Sequence, residues 1–293
     1  MQIPADCIDK GEDLMAFVST RDMMLDAQKN GYAIGAFNVE NMEMAQAVIS
    51  AAEEMHAPVI VQTTPGTLKH AEPKVFAGFI SRLARDAKAP VALHLDHGSS
   101  YELAENCARE GYTSLMIDGS LLPYEGNVTL SRQVVAMACG IPVEAELGKV
   151  GGKEDDHEAD AAYTDPEEAA RFVKETGVFS FAPAIGTAHG VYKAEPKLDL
   201  ERLSAIRALV DAPLVLHGTS GVPDEQVREC IRRGICKVNY ATELRVVYSN
   251  AVKAYLQKDP DVYDPKKYSA AGRAAVKARV CELIELLGSK GKA

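Results

Sequence analysis

The sequence lacks any block of lysine and arginine residues. It has 32 basic against 42 acidic residues and a formal net charge of −10 at pH 7, with a pI of about 5.3. A surface of this sign repels nucleic acid and anionic membranes, so neither is expected as a partner. A small anion can still be bound where backbone N–H groups or a few placed cations meet it.

Paired cysteines, long apolar runs and a signal-type N-terminus are also missing. The six cysteines, at positions 7, 107, 139, 230, 236 and 281, form no CxxC motif. In a chain of this length they are expected as reduced, packed thiols and not as a disulfide framework. No apolar run approaches the roughly 20 residues that span a bilayer, and the first residues show no basic-then-apolar pattern. We therefore expect a soluble, cytoplasmic protein.

Eight short stretches typical of β-strands alternate with segments of helical periodicity. The stretches cover 32–39, 58–64, 91–98, 114–120, 141–148, 180–186, 213–220 and 236–242. Helical segments such as "SSYELAENCAREGY" carry a capping serine before an apolar stripe and a glycine after it. This alternation predicts an α/β fold, a (β/α)8 TIM barrel that forms one domain over residues 1–293. A short N-terminal extension up to about Phe17 and extra C-terminal helices after Asp259 complete it.

Polar side chains gather at the C-terminal ends of these predicted strands. In "VALHLDHG" an apolar run ends in ionisable residues, which are costly to bury unless they are paired or bound to a metal. The strand-end set comprises Asn38, Thr64, Asp96, His97, Asp118, Glu146, His189, His217 and Asn239. Because (β/α)8 barrels carry their catalytic residues at this face, we expect the active site there.

Three histidines in this set stand beside a glycine, in "DHG", "AHG" and "LHG". They are His97, His189 and His217. Neutral imidazoles are good zinc ligands, and three protein ligands leave a position open for a substrate. The sequence therefore predicts a catalytic metal site. His94 lies two residues inside its strand, where a hydrogen bond in the barrel interior is the expected role.

The acidic residues of the set admit more than one role. Asp96 is the candidate base beside the metal, with orientation of a histidine as the alternative. Asp118 and Glu146 are candidates for further metal ligands, for orienting groups or for structural ion pairs. Glu144, on the same face of its strand as Glu146, is expected to be structural.

Two loops carry further candidate groups. After the fifth strand comes "GKVGGKEDDHEADAAYTD", which is long, contains glycine and is acidic, as a mobile lid would be; a disordered surface loop is the alternative. The residues alone do not distinguish Glu154 from Asp155 or Asp156. "HGTSG" and "VNYAT" follow the seventh and eighth strands, where this fold commonly binds phosphate through backbone N–H groups.

Six motifs together resemble the class II, metal-dependent ketose-bisphosphate aldolases of carbohydrate metabolism, including glycolysis. They are "YAIGAFNVEN", "HLDHG", "EAELGKVGGKED", "AIGTAHGVY", "LVLHGTSG" and "KVNYATEL". They occur in the family's order, and the resemblance runs from about residue 22 to the end of the chain. It implies a phosphorylated ketose as the substrate and a homodimer or homotetramer as the assembly.

The resemblance also implies the metal chemistry. His97, His189 and His217 would hold a catalytic Zn²⁺ that acts as a Lewis acid on the ketose oxygens. Asp118 and Glu146 resemble the carboxylates that bind a second or displaced divalent metal. A monovalent cation site is implied as well.

Proton transfer and substrate binding follow from the same resemblance. Asp96 would exchange a proton with the hydroxyl next to the bond that breaks, and Glu154 would protonate the carbon of dihydroxyacetone phosphate. The residues that match the substrate pocket are Asn38, Thr64, Gly190, Gly218, Thr219, Ser220, Asn239, Tyr240, Ala241 and Thr242.

The sugar remains open between tagatose and fructose 1,6-bisphosphate. "GTAHG" and "ATEL" resemble the tagatose side of the family, and fructose-bisphosphate enzymes often have an acid at the position of Ala241. Tyr240 and the bulky Phe179, Phe181 and Pro183 depart from the usual smaller residues. Another ketose 1-phosphate, a Schiff-base aldolase using Lys237 or Lys149, and a non-catalytic member of the fold are the alternatives.

Overall fold

A computed structural model describes residues 16–154, 157–159, 162–190, 192 and 196–293 of the 293-residue chain. Its strands, in chain order, are β1 (Ile34–Asn38), β2 (Val59–Thr63), β3 (Val91–Gly98), β4 (Ser114–Ile117), β5 (Val143–Leu147), β6 (Gly151–Glu154), β7 (His157–Ala159), β8 (Ser180–Pro183), β9 (Ala188–His189), β10 (Leu214–Leu216) and β11 (Ile235–Tyr240).

Eight of these strands close into a barrel in the order β1-β11-β10-β8-β5-β4-β3-β2. All eight neighbouring pairs are parallel. Each barrel strand lies within one of the stretches predicted from sequence or within one residue of it, so the (β/α)8 prediction is confirmed. Three strands were not predicted: β6, β7 and β9 form a small separate sheet in the loops that follow β5 and β8.

The helices lie between the strands and at both ends of the described chain. They are α1 (Thr20–Asn30), α2 (Met42–Met55), α3 (Pro65–His70), α4 (Pro73–Arg85), α5 (Tyr101–Arg109), α6 (Tyr124–Met137), α7 (Pro166–Thr176), α8 (Leu200–Leu209), α9 (Asp224–Arg232), α10 (Thr242–Lys258) and α11 (Pro265–Leu287). Local signals fix several ends: Ser100 caps α5 through its side chain, and Gly177 ends α7 with φ 69°. Within the described ranges, no helix is both long and apolar enough to cross a membrane.

The buried apolar residues form two clusters. The larger cluster lies between the barrel and its surrounding helices. The smaller one joins Met24 and Ala27 of α1 to Ile34, Ala36 and Ile60 on the barrel strands. Helix α1 thereby covers one end of the barrel, and the strand ends at the other face are left for polar residues.

A layer of buried polar side chains lies inside the barrel. Lys237, His94, Glu144, Ser114 and Ser180 are each at most 3% exposed. Successive residues of a strand point to opposite faces, so His94 shares the face of Asp96, and Glu144 that of Glu146. The polar layer therefore continues into the residues at the strand ends.

Candidate metal and substrate site

The three predicted histidines come together at the C-terminal face of the barrel. His97 lies in β3, His189 ends β9 and His217 directly follows β10. One ring nitrogen from each lies within 4.8 Å of the other two, and the ring centroids are 4.7–6.2 Å apart. Three imidazoles at this separation are compatible with a shared metal ion.

A bulge in β3 lets two consecutive residues face the site. Leu95 pairs with Leu115 of β4, but the next pair is Gly98 with Ile117, so β3 has one extra residue there. His97 occupies the left-handed region with φ 48°, a conformation that a non-glycine residue rarely adopts. Without the bulge, alternation would send Asp96 and His97 to opposite faces; with it, both line the same cleft.

Asp118 orients the ring of His97. Its Oδ2 lies 2.8 Å from His97 Nδ1, and its Oδ1 accepts from the backbone N–H of Ser120 at 2.9 Å. Burial favours the neutral acid, but His97 and Ser120 outweigh burial and hold the pKa of Asp118 well below its usual value. The other ring nitrogen, His97 Nε2, lies 4.0 Å from Asp96 Oδ1. The described residues thus place Asp118 behind the histidine.

His217 is held between two buried carboxylates of β5. Its Nε2 donates to Glu144 Oε1 at 2.9 Å, and its Nδ1 lies 3.2 Å from Glu146 Oε2. Nδ1 and Oε2 are both buried, and neither has a hydrogen-bond partner among the described residues. A buried ring nitrogen and a buried carboxylate oxygen, both without a hydrogen-bond partner among the described residues and beside two more imidazoles, fit a divalent cation, which would satisfy both.

Electrostatics keeps part of this cluster neutral. Burial, aided by the neighbouring His97 and His217, lowers the pKa of His189 well below its usual value. Burial acts in the same sense on His217, yet the Glu144 and Glu146 carboxylates outweigh it and raise the pKa of His217. Since only a neutral imidazole has a lone pair to give, His189 is already in the ligand form.

Three side-chain amides surround the carboxylate of Asp96, which is 2% exposed. Asn38 and Gln62 donate to Oδ2 at 2.8 and 3.2 Å, and Asn239 donates to Oδ1 at 3.0 Å. Burial opposes the charge, but His97, His217 and Lys237 outweigh it and lower the pKa of Asp96. The sequence analysis missed Gln62; its only signal was an amide inside the apolar run "VIVQT".

A small cleft opens beside His97 and His189. Each of its lining residues was a predicted site residue. The lining comprises Asn38, Asp96, His97, His189, Gly190, Gly218, Thr219, Ser220, Asn239, Ala241 and Thr242. The structure thus brings eleven predicted residues, drawn from β1, β3, β9, β11, the start of α10 and the loops beside them, around one space.

One wall of the cleft suits an anion. Helix α10 begins there at Thr242, and Ala241 before it offers no capping side chain. Gly218 has φ 63°, and a Cβ at this position would meet the carbonyl oxygen of Ala188 at 2.8 Å. Glycine is required where two loops approach this closely, and the uncapped start of α10 presents backbone N–H groups to the cleft.

Tyr192 ties the two histidine-bearing loops together. Its hydroxyl accepts from the backbone N–H of Ala188 at 2.6 Å and donates to the carbonyl of Gly218 at 2.8 Å. These are the neighbours of His189 and His217. The sequence analysis missed this residue, because the contact joins loops that only the closed barrel brings together.

Two predicted binding residues do not reach the cleft. Thr64 is fully buried and caps α3, where its hydroxyl oxygen accepts from the backbone N–H of Thr67 at 3.4 Å. Tyr240 alternates with the inward-facing Asn239, so its ring points out of the barrel and stacks on Phe37 with centroids 6.0 Å apart. In this structure the Thr64 side chain caps a helix and the Tyr240 side chain packs outside the barrel, and neither lines the cleft.

Glu154 is only partly described. Its backbone ends β6 and pairs with His157, so both residues belong to strands where a loop was expected. Strand β6 also runs beside β9, with Gly152 opposite His189. The Glu154 side chain, and all of Asp155 and Asp156, lie outside the described residues.

The bulky residues that distinguish this chain around β8 lie away from the cleft. Phe179 precedes β8 and lies under the guanidinium of Arg21 at 4.7 Å. Phe181 packs on Phe172 of α7 with centroids 6.0 Å apart. Neither residue lines the cleft, so these two positions serve packing.

Comparison with known proteins agrees with this geometry. The family described as fructose-bisphosphate aldolase class II matches residues 18–292. The YdjI aldolase of Escherichia coli K12 is 39% identical over 94% of this chain and 99% of its own, with a TM-score of 0.84. A putative fructose-1,6-bisphosphate aldolase of Coccidioides immitis is 32% identical over 94% and 98%, with a TM-score of 0.85. A Campylobacter jejuni fructose-bisphosphate aldolase, 24% identical over 94% and 97% with a TM-score of 0.78, shares the fold.

Proposed function

Because the chain belongs to the class II fructose-bisphosphate aldolase family and is an aldehyde-lyase, we propose that it is a zinc-dependent aldolase for a ketose 1,6-bisphosphate. It would cleave tagatose or fructose 1,6-bisphosphate reversibly to dihydroxyacetone phosphate and glyceraldehyde 3-phosphate. The observation that carries the proposal is the group of three histidines, with ring nitrogens within 4.8 Å of one another, beside the caged carboxylate of Asp96. We place its action in the cytoplasm, as a homodimer or homotetramer.

His97, His189 and His217 would hold the metal. When bound, Zn²⁺ supplies a Lewis acid toward the oxygens of the ketose. Asp118 holds the His97 ring from behind. Glu146, whose Oε2 is an orphan beside His217, is the proposed carboxylate of a second or displaced metal position.

Asp96 would take the C4 hydroxyl proton as the C3–C4 bond breaks, and return it in the condensation direction. Its three amide partners fix the carboxylate in one orientation, so that it meets the hydroxyl without reorganising. The side-chain oxygen of Asn239, Oδ1, is also buried without a partner among the described residues, and it can accept a hydrogen bond from a substrate hydroxyl.

Glu154 and the anion-binding wall would act on the dihydroxyacetone phosphate half. Glu154 protonates the C3 carbanion after cleavage, an assignment that rests on the family resemblance. Backbone N–H groups of Gly218, Thr219, Ser220 and the start of α10 bind the phosphate. They would anchor one end of the substrate while the other end reacts, and a bound monovalent cation would add positive charge there.

The buried lysine argues against the Schiff-base alternative. Lys237 Nζ lies 3.0 and 2.9 Å from the two oxygens of Glu144. An ammonium held by a carboxylate has no lone pair for attack on a carbonyl. Lys149 is the second lysine considered, and its backbone forms a bridge with Ala162 at the base of the β6–β7 loop.

The first prediction is that a panel of ketose 1,6-bisphosphates and ketose 1-phosphates identifies the substrate by release of dihydroxyacetone phosphate. Activity should vanish on chelation and return with zinc, cobalt or manganese, because the Lewis acid is restored. His97→Ala should lose both metal and activity, since two of three protein ligands remain. Release is followed by NADH oxidation with glycerol-3-phosphate dehydrogenase, and metal by elemental analysis.

His70→Ala is the matched control, because His70 is an exposed residue at the end of α3. It should keep metal and activity. Full turnover by verified metal-free protein would refute zinc dependence, and silence toward every phosphorylated ketose would refute the substrate class.

A further inference from the structure

The barrel interior contains a hydrogen-bonded chain that ends on a proposed metal ligand. Lys237 of β11 bridges both oxygens of Glu144, and Glu144 Oε1 accepts from His217 Nε2 at 2.9 Å. Lys237 is fully buried, and Glu144 and His217 are each 1% exposed. A buried ion pair is weak evidence for stability, because apolar residues of the same size often replace one without loss. Because the Lys237–Glu144 pair contacts His217, we looked to that histidine for its role.

On the other side of Lys237, the series of hydrogen bonds continues to the far end of the barrel. His94 Nε2 lies 3.5 Å from Lys237 Nζ, and His94 Nδ1 lies 2.8 Å from Ser114 Oγ. Ser114 Oγ also accepts from the hydroxyl of Thr20 in α1 at 3.0 Å. Since an ammonium only donates, His94 Nε2 is an acceptor and its proton is on Nδ1. Lys237 therefore has a fixed partner on each side.

These contacts decide which nitrogen of His217 faces the metal. The imidazole of His217 must be neutral to bind a metal, and it then has one N–H and one lone pair. Because Glu144 takes the N–H of Nε2, the lone pair stays on Nδ1, which is buried without a hydrogen-bond partner among the described residues. The second oxygen of Glu144 is held by Lys237 and by the Ser180 hydroxyl at 3.2 Å, so the carboxylate cannot turn toward the metal itself.

We propose that Lys237 and Glu144 are a positioning pair, which fixes the tautomer and ring orientation of His217 so that Nδ1 is the metal ligand. Glu144 supplies the acceptor for the Nε2 proton. Lys237 compensates the charge of Glu144 and holds it in register with the histidine, an arrangement that raises metal affinity. This inference rests on the proposed function, because it needs the three-histidine site to bind a metal.

The test measures metal binding directly. Glu144→Gln removes the charge while keeping the size, and should weaken Zn²⁺ binding by about 10- to 100-fold in competition with a chromophoric chelator. The visible absorption of the Co²⁺-loaded variant should also differ from that of the parent protein, because the His217 ring is no longer fixed. Glu40→Gln is the matched control: Glu40 is also ion-paired, with Arg245, but touches none of the three histidines.

Lys237→Met should weaken Zn²⁺ binding in the same range. In the Glu144→Gln background it should add little, because the two residues act as one unit. If Lys237→Met alone does not fold, the double variant, which buries no unpaired charge, carries the test: it should bind Zn²⁺ about as weakly as Glu144→Gln.

Wild-type zinc affinity and an unchanged cobalt spectrum in Glu144→Gln, or additive losses in the double variant, would overturn the positioning role while leaving the metal site intact. A parent protein that binds neither Zn²⁺ nor Co²⁺ would instead overturn the proposed function, and the inference with it.

Discussion

At the scale of single residues, Asp96, the proposed proton-transfer group, has three amide partners. The side-chain amides of Asn38 in β1, Gln62 in β2 and Asn239 in β11 all donate hydrogen bonds to its carboxylate. The amides stabilise the carboxylate, so Asp96 is ready to accept a proton and not to donate one at the start of cleavage. Their second effect is orientation, which removes the need for the carboxylate to reorganise during the reaction.

Asp96→Ala should therefore keep its metal and lose activity. We expect kcat to fall by about 10²-fold or more, the usual scale of general acid–base catalysis, while the zinc content stays near that of the parent protein. Steady-state kinetics and elemental analysis on the same sample check this. If the variant loses zinc yet keeps its rate per bound zinc, Asp96 orients the metal site and is not the base.

At the scale of elements, the β6–β7 hairpin is joined by backbone hydrogen bonds to the strand that carries His189, a proposed metal ligand. Gly151 and Gly152 of β6 pair with Ala188 and His189 of β9. Glu154 is two residues farther along β6, about 7 Å at the usual rise of a strand. The backbone of Glu154 therefore lies near His189, which supports the proton transfer proposed for this residue.

Glu154→Ala should fold, bind zinc and bind dihydroxyacetone phosphate, yet exchange the carbon-bound proton of that molecule much more slowly. The physical reason is that, under the proposed function, Glu154 would serve only the step after C3–C4 cleavage. Deuterium incorporation followed by NMR, with no aldehyde present, isolates this step. Asp155→Ala and Asp156→Ala are the neighbouring controls and should have small effects. A larger loss in either control would assign the proton transfer to that aspartate.

At the scale of the whole molecule, the buried His94 links acid stability to the barrel interior. Burial and the charge of Lys237 lower the pKa of His94 to about 3. Between this pH and about pH 6.5, His94 binds a proton in the unfolded chain but stays neutral in the folded protein. Stability must therefore fall as the pH falls through this window, by up to about 1.4 kcal/mol per pH unit for one group.

His94→Gln should flatten this dependence. The metal-free variant is expected to be less stable than the parent at about pH 7, because the contacts with Ser114 and Lys237 are altered. Its melting temperature should nevertheless drop less between about pH 7 and about pH 5 in calorimetry. His70→Gln, at an exposed position, is the control and should keep the parent's slope. Equal slopes in all three proteins would contradict the role of His94.

The sequence by itself determined the barrel and most of the site. Each strand has its own apolar run, and several helices have a capping residue or a terminal glycine, so these elements can be read locally. Parallel strands in a barrel end at one face, and their terminal polar residues must meet there. For this reason His97, His189 and His217 were predicted as one cluster, although 120 positions separate the first from the last.

Only the tertiary structure decided which partner each side chain has. The bulge that turns Asp96 and His97 to one face depends on the register between β3 and β4. Gln62 and the Lys237–Glu144–His217 chain join strands that are distant in sequence, and Tyr192 joins two loops across the barrel mouth. The local sequence pattern indicates whether a side chain is buried and which face of its strand it occupies. Its partner across the barrel depends on how the sheet closes, and no short stretch of sequence contains that information.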